Sequence, residues 1–203
     1  KKPIVITGAQ KPIDLDVTDA RTNLLDSLRF ASCERAHGVN IVFDGKVIAG
    51  TRARKLRTKS YDAFSSIGFP DLARIQDGRV IPYIPPACVQ GGSSCGPLFY
   101  RKLDPGVMVL KLTPGISAEM VHDMGIHLRA LIVEGFGMGG IPDYGNGELS
   151  EVFRNLSSCG VRVIMTTQVF QGGCDLSVYK VGRAAQEAGL IGNARDVGAC
   201  VFL

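Results

Sequence analysis

The sequence predicts an α/β protein of two units, and three observations carry that reading. A βαβ pattern opens the chain, a βαβαβα pattern fills its second half, and a Pro/Gly-rich stretch with a change of charge sign separates them. Of the 203 residues, 45% are hydrophobic and 21% charged, which supplies packed cores and argues against a disordered chain. No apolar run reaches the ~18 residues of a membrane span. The net charge of +4 is too small to imply a nucleic-acid partner, but it is unevenly spread. Residues 1–103 carry net +7 and residues 104–203 net −3.

Each element has a local reason. Pro3–Thr7 (PIVIT) is a β-branched run ending at Gly8, expected to be a buried parallel strand. Residues 19–36 set Leu24, Leu25, Leu28 and Ala31 at helical spacing, with Thr18 or Asp19 to cap the start and Gly38 beyond the end. Val39–Phe43 is a second strand, and Asp44-Gly45 turns it into KVIAG as a tight hairpin. Residues 78–86 hold one short strand that Pro82, Pro85 and Pro86 confine to a sheet edge. Residues 107–112, 129–134 and 161–167 read as strands. Ser117 caps a short helix, and residues 147–158 and 180–188 read as two more. Ligands on open parallel sheets bind at the carboxyl ends of strands, here Thr7–Gln10, Thr113, Gly135 and Thr167.

The chemistry-bearing residues are few. Six cysteines form no CxxC pair and have no histidine at zinc-ligand spacing, so neither a metal nor another cofactor is expected, and reduced thiols in a cytoplasmic protein are the default. Gly135–Gly140 (GFGMGG) matches GxGxxG, but Pro142, Gly145 and Gly147 forbid the helix that a dinucleotide site needs, and no acid follows the next strand. A glycine loop open to a ligand or a neighbouring chain is the better reading. Arg52, Arg54, Lys55, Arg57 and Lys59 put five cations in eight residues. That run reads as a solvated face, as a nucleic-acid patch without the usual aromatics, or as the setting of one functional lysine. His37, His122 and His127 are scattered, and Cys95 lies away from any strand-to-helix elbow.

Seven segments in order resemble one family, the bacterial L-asparaginases of the type I, cytoplasmic branch. They are VITGAQKP, TDARTNLLDSLRFA, FDGKVIAGTRARKLRT, LKLTPGISAEMV, LIVEGFGMGGIP, VRVIMTTQVFQGG and AGLIGNARD. The resemblance implies a flavodoxin-like parallel sheet, incomplete here, in an N-terminal domain of residues 1–86. A linker of 87–105 and a smaller parallel α/β domain of 106–203 follow. It implies hydrolysis of the L-asparagine side-chain amide to aspartate and ammonia. Lys55 would be a catalytic residue, Ala9 would bind substrate through its backbone carbonyl, and Met138 would face a neighbouring subunit's site in a homodimer or homotetramer. Neither of the family's nucleophilic-threonine motifs, TGGTI-like and HGTDT, occurs in this sequence, and the ending VGACVFL departs from the family helix. The expectation is therefore a piece shortened at both ends and inactive by itself. An asparaginase-like subunit of a tRNA-dependent amidotransferase and a non-catalytic binding protein are the alternative functions.

Overall fold

The computed structural model describes residues 2–85, 101–142 and 147–176 and the backbone of 191–192. The chain divides into two compact units between Pro97 and Leu98. Most of the expected linker, and the expected helix at 180–188, lie outside the described residues.

In the first unit, β1 (Ile4–Ile6), α1 (Ala20–Ala31) and β2 (Val39–Phe43) form the βαβ unit, with β1 parallel to β2 from Ile4 opposite Val39 to Ile6 opposite Ile41. β3 (Lys46–Ala49) returns antiparallel through Asp44-Gly45, whose φ angles of 50° and 67° match the right-handed strand twist. A β-carbon on Gly45 would also lie 2.9 Å from the Ile75 carbonyl oxygen, so this turn requires glycine.

Beyond β3 the unit holds more strands than the sequence reading gives. β4 (Ala53–Lys55) and β5 (Phe64–Ser66) form a two-stranded antiparallel ribbon. β6 (Ala73–Gln76) and β7 (Arg79–Pro82) form a second hairpin that turns at Asp77-Gly78, again with positive φ at both residues. The sheet order is β1-β2-β3-β6-β7, so β7 is an edge, as its proline demands. Among the described residues, parallel pairing in this sheet is confined to β1 and β2.

β1 is not buried as expected. It is the other edge of the described sheet, with Ile4 56% and Ile6 50% exposed. α1 ends at Ala31 rather than at 36, and its orientation is the reverse of what its leucines suggest. Leu24, Leu25 and Leu28 are about half exposed, whereas Asn23, Asp26, Ser27 and Phe30 are buried. The cause is a set of hydrogen bonds that only the polar face can make. Asn23 Nδ2 donates to the Gly8 carbonyl at 2.9 Å and to Asp19 Oδ2 at 3.1 Å, while its Oδ1 accepts from the Asp44 amide at 2.9 Å. One side chain thus ties the turn after β1 to the β2–β3 turn. Phe30 alone carries the apolar packing of this face, joining Val42, Val47 and Ile75 in the core of the unit.

The second unit follows its pattern closely. β8 (Val107–Lys111), α2 (Ala118–Gly125), β9 (Ala130–Gly135), α3 (Glu148–Ser158), β10 (Arg162–Thr167) and β11 (Ile191–Gly192) make a sheet of order β11-β10-β9-β8, all parallel. Ser117 caps α2 as expected, its Oγ accepting from the Met120 amide at 3.2 Å. α3 buries Leu149, Phe153 and Leu156, at i, i+4 and i+7, against Leu131, Val133 and Val163 of the sheet, and Glu148 and Glu151 complement its N-terminal dipole. No helix among the described residues is long and apolar enough to cross a membrane.

The reversed α1 gives a test. Asn23→Ala leaves the Gly8 carbonyl and the Asp44 amide without their partner and should cost about 2–4 kcal/mol. Leu25→Ala, on the exposed face, should stay within about 0.5 kcal/mol. Urea unfolding of the two variants beside the parent reads both. Equal losses would contradict the orientation of this helix.

Candidate active site

The carboxyl ends of β1 and β2, the only parallel neighbours described in the first sheet, open onto a cavity of about 190 Å³. Ile6, Ile41, Phe43 and Phe64 give it apolar walls, the turn Thr7–Gln10 forms its rim, and Lys55 supplies the only charged group among its described lining residues. At about six water volumes it suits a ligand of few heavy atoms. The turn is held from both sides. The Asp19 carboxylate accepts from the Gln10 amide at 2.9 and 3.0 Å and from the Lys11 amide at 3.1 Å, while Asn23 holds Gly8. Asp19 stands at the N-terminus of α1, but its carboxylate serves the turn and makes no capping bond. Thr18 supplies that bond, accepting from the Ala20 amide at 3.0 Å and donating to the Lys11 carbonyl at 2.9 Å.

Lys55 ends β4 opposite Phe64 of β5. Its Nζ donates to Gln10 Oε1 at 2.8 Å and lies 5.9 Å from the centre of the Phe64 ring, which stacks obliquely on Phe43 at 5.0 Å. The neighbouring cations turn elsewhere. Arg57 binds Asp62, and the Arg52 guanidinium sits 6.0 Å from the centre of the Phe69 ring. Of the residues the sequence singles out, Ala9 and Lys55 therefore line one cavity, at the tip of the turn and on the facing ribbon.

Met138 lies in the second unit, at the top of the glycine loop, 37% exposed. The loop folds back on itself, with Phe136 and Gly140 exchanging backbone hydrogen bonds at 2.8 and 2.6 Å. The Gly137 carbonyl accepts from Thr167 Oγ1 at the carboxyl end of β10, and Met138's carbonyl accepts from the Asp175 amide at 3.0 Å. At Gly139, φ is 102° and a β-carbon would stand 2.4 Å from Cys174 Sγ, so a side chain there disturbs the loop itself. No helix opens directly from this loop: α3 begins at Glu148.

The side-chain roles of three residues escape the sequence reading, which gives Gln10 only as part of the Thr7–Gln10 strand end. Gln10 and Asn23 sit inside the motif-like segments VITGAQKP and TDARTNLL, but apart from bonds to nearby Asp19 their side-chain contacts lie at sequence separations of 15 to 50 residues. The third, Asp62, is the anchor of the β4–β5 loop. Lys46 Nζ donates to Asp62 Oδ1, and Arg57 Nη1 donates to Asp62 Oδ2 and to its carbonyl, both at 2.8 Å. The hydrogen bond from Lys46, working against partial burial and aided by the charges of Lys46 and Arg57, holds the Asp62 carboxyl below the usual carboxylate value. Among the described residues no group of three or more His, Cys, Asp or Glu could hold a metal ion.

The sign of the Asp62 effect follows. A carboxyl depressed in the folded state contributes stability that is fully present above its unfolded pKa of about 3.9 and is lost as pH falls through the folded value. The stability gap between the parent and Asp62→Asn should therefore be flat above about pH 5 and shrink on acidification below about pH 4. Chemical unfolding at stepped pH measures it, and a gap that widens in acid would contradict the ion pairs.

Comparison with known proteins places the chain among relatives. Residues 1–87 match the asparaginase N-terminal family model, and residues 106–196 match the glutaminase/asparaginase C-terminal domain. An L-asparaginase of Thermococcus kodakarensis is 38% identical over 189 residues, covering 93% of this chain and 56% of that protein. A component of the glutamyl-tRNA(Gln) amidotransferase of Pyrococcus horikoshii is 30% identical over 200 residues, covering 94% of this chain and 44% of that protein. The solved structure of the thermostable L-asparaginase from Thermococcus kodakarensis superposes with a TM-score of 0.88 at 35% identity, covering 99% of this chain and 60% of that one. The chain thus spans about half the length of the curated relatives it matches. With an N-terminal and a C-terminal domain match in family order across most of its length, the chain belongs to the asparaginase family.

Proposed function

We propose that the protein carrying this chain hydrolyses the side-chain amide of L-asparagine to aspartate and ammonia. The observation that carries the reading is the convergence of Lys55 and the Gly8–Gln10 turn on one small cavity at the carboxyl ends of β1 and β2. In the reaction that the family resemblance implies, a threonine hydroxyl attacks the amide carbon, the C–N bond breaks, and the nitrogen leaves with a proton as ammonia. Water then hydrolyses the resulting ester. The Lys55 ammonium supplies positive charge where the second threonine and its aspartate develop negative charge. The backbone carbonyl of Ala9 accepts from the substrate amide, so only a small side chain is needed there.

Met138 completes the reading as the residue offered to a neighbouring subunit's site, in a homodimer or homotetramer located in the cytoplasm. Its half-exposed position on a loop of fixed shape supports that role. A second reading, an amidase that passes ammonia to a tRNA-dependent partner, draws on the amidotransferase relative at 30% identity. The higher identity to an L-asparaginase favours free hydrolysis. Ammonia release from asparagine without tRNA or a partner protein separates the two, and binding of asparagine without ammonia release would mark a non-catalytic protein.

Because the chain spans about half the length of its relatives, the assay uses the complete gene product. Lys55→Ala should lower kcat about 10²-fold or more. Lys59→Ala, in the same basic run but outside the cavity, should change kcat by less than about 2-fold. Ala9→Ser keeps the carbonyl and should change kcat by less than about 10-fold. Met138→Arg should act on KM and leave the melting temperature in place. Full activity of Lys55→Ala, or a collapse caused by Lys59→Ala, would reject this site.

A further inference from the structure

The amide of Gln10 has every polar atom assigned. Its Nε2 donates to the Thr58 carbonyl at 3.0 Å and to the Ser60 carbonyl at 2.9 Å, and its Oε1 accepts from Lys55 Nζ at 2.8 Å. Only one orientation of the amide satisfies all three bonds, because the two carbonyls can only accept and an ammonium can only donate. The backbone amide of the same residue is fixed by Asp19. Thr58 and Ser60 belong to the β4–β5 loop. That loop is closed at its base by the Leu56 amide on the Ala63 carbonyl at 2.8 Å, and is pinned by Asp62 to Lys46 of β3 and to Arg57. A rigid relay therefore runs from Lys46 and Asp62 through two loop carbonyls to Gln10, and from Gln10 to Lys55. A lysine is long, flexible and, here, exposed, so something must hold its ammonium over the cavity if it is to act on a reacting group. The Phe64 ring beneath it restricts the stem but fixes no direction.

We infer that Gln10 is a positioning residue for Lys55, and that the loop 56–63, fastened by Asp62, sets Gln10 in turn. The inference rests on the catalytic reading of Lys55 for its importance, but its geometry can be tested without turnover.

The direct test is competitive acetylation with trace acetic anhydride, read for each lysine by mass spectrometry. The parent is compared with Gln10→Ala, Gln10→Met, Asp62→Asn and the Gln10→Ala/Asp62→Asn double variant. Lys2 and Lys111, both exposed and outside the 56–63 loop, serve as internal standards for fold and reagent. Relative to those standards, Lys55 should react about 2- to 10-fold faster in both Gln10 variants, the range set by losing one net hydrogen bond. Asp62→Asn should raise Lys55 reactivity by a smaller factor, and should add nothing once Gln10 is alanine. Unchanged Lys55 labelling in both Gln10 variants overturns the inference, and so does an Asp62→Asn effect that persists in full in the double variant. In the complete gene product, Gln10→Ala and Gln10→Met should lower kcat with KM little changed, and Gln10→Ala should have no further effect in a Lys55→Ala background. If Lys55→Ala is fully active while the labelling pattern holds, the catalytic reading fails and the positioning stands. If Lys55→Ala is inactive and labelling ignores Gln10, the reverse follows.

Discussion

The described part of the first unit depends on a buried polar cluster, Asp19 with Asn23, and not on an apolar helix face. These two side chains, one turn apart at the start of α1, hold Gly8, Gln10 and Lys11 of the turn after β1 and the amide of Asp44 in the next turn. A buried amide with all its groups satisfied stabilises one arrangement and penalises every neighbour of it, because each lost bond leaves a dehydrated donor or acceptor. The rim of the cavity inherits that rigidity. The backbone from Gly8 to Lys11 has no regular secondary structure, yet its shape is specified as tightly as a strand.

The two sides of the cavity are built by different means. The turn is fixed by hydrogen bonds from a helix, whereas the facing lysine rides on a short ribbon whose stability comes from a hairpin loop, an ion-paired aspartate and two stacked phenylalanines. Lys46 is the more buried partner of its ion pair and Asp62 the more exposed, at 14% and 39% of their side-chain surface. The pair gains from the lower dielectric around the ammonium while water still reaches the carboxylate, an arrangement that avoids most of the desolvation penalty of a fully buried pair. The Gln10 side chain touches both constructions, bonding the loop carbonyls and the ribbon lysine from its place in the turn.

How much of this was legible differs between the units. In the second unit β8, β9, β10 and α3 follow from periodicity, because the strands are apolar runs and α3 buries residues at i, i+4 and i+7, whereas the two-residue β11 gives no such pattern. The Ser117 cap and the Asp44-Gly45 turn are local signals with local causes. In α1 the same method misleads. Hydrophobic spacing points to the leucines, while the buried face is chosen by hydrogen bonds to residues far along the chain. β4 and β5 are three residues each, one of them carrying Arg54 and Lys55, and no alternation develops in so short a segment. The Asp77-Gly78 hairpin did carry a readable signal, the same dipeptide as the first. Motif context singles out Lys55 as a candidate, whereas the side-chain contacts of Gln10, 45 residues away in sequence, come only from the fold.

The Gln10 amide also exposes the site to chemical ageing. Hydrolysis of that one amide would replace Nε2 by an oxygen without changing the size of the side chain. The new carboxylate would attract the Lys55 ammonium more strongly, yet it would face the Thr58 and Ser60 carbonyls with no proton to offer either. The two ends of the same group would then pull in opposite directions, toward the lysine and away from the loop. A lesion of a single mass unit would be nearly invisible in packing, but it would uncouple the lysine from the loop that sets its position.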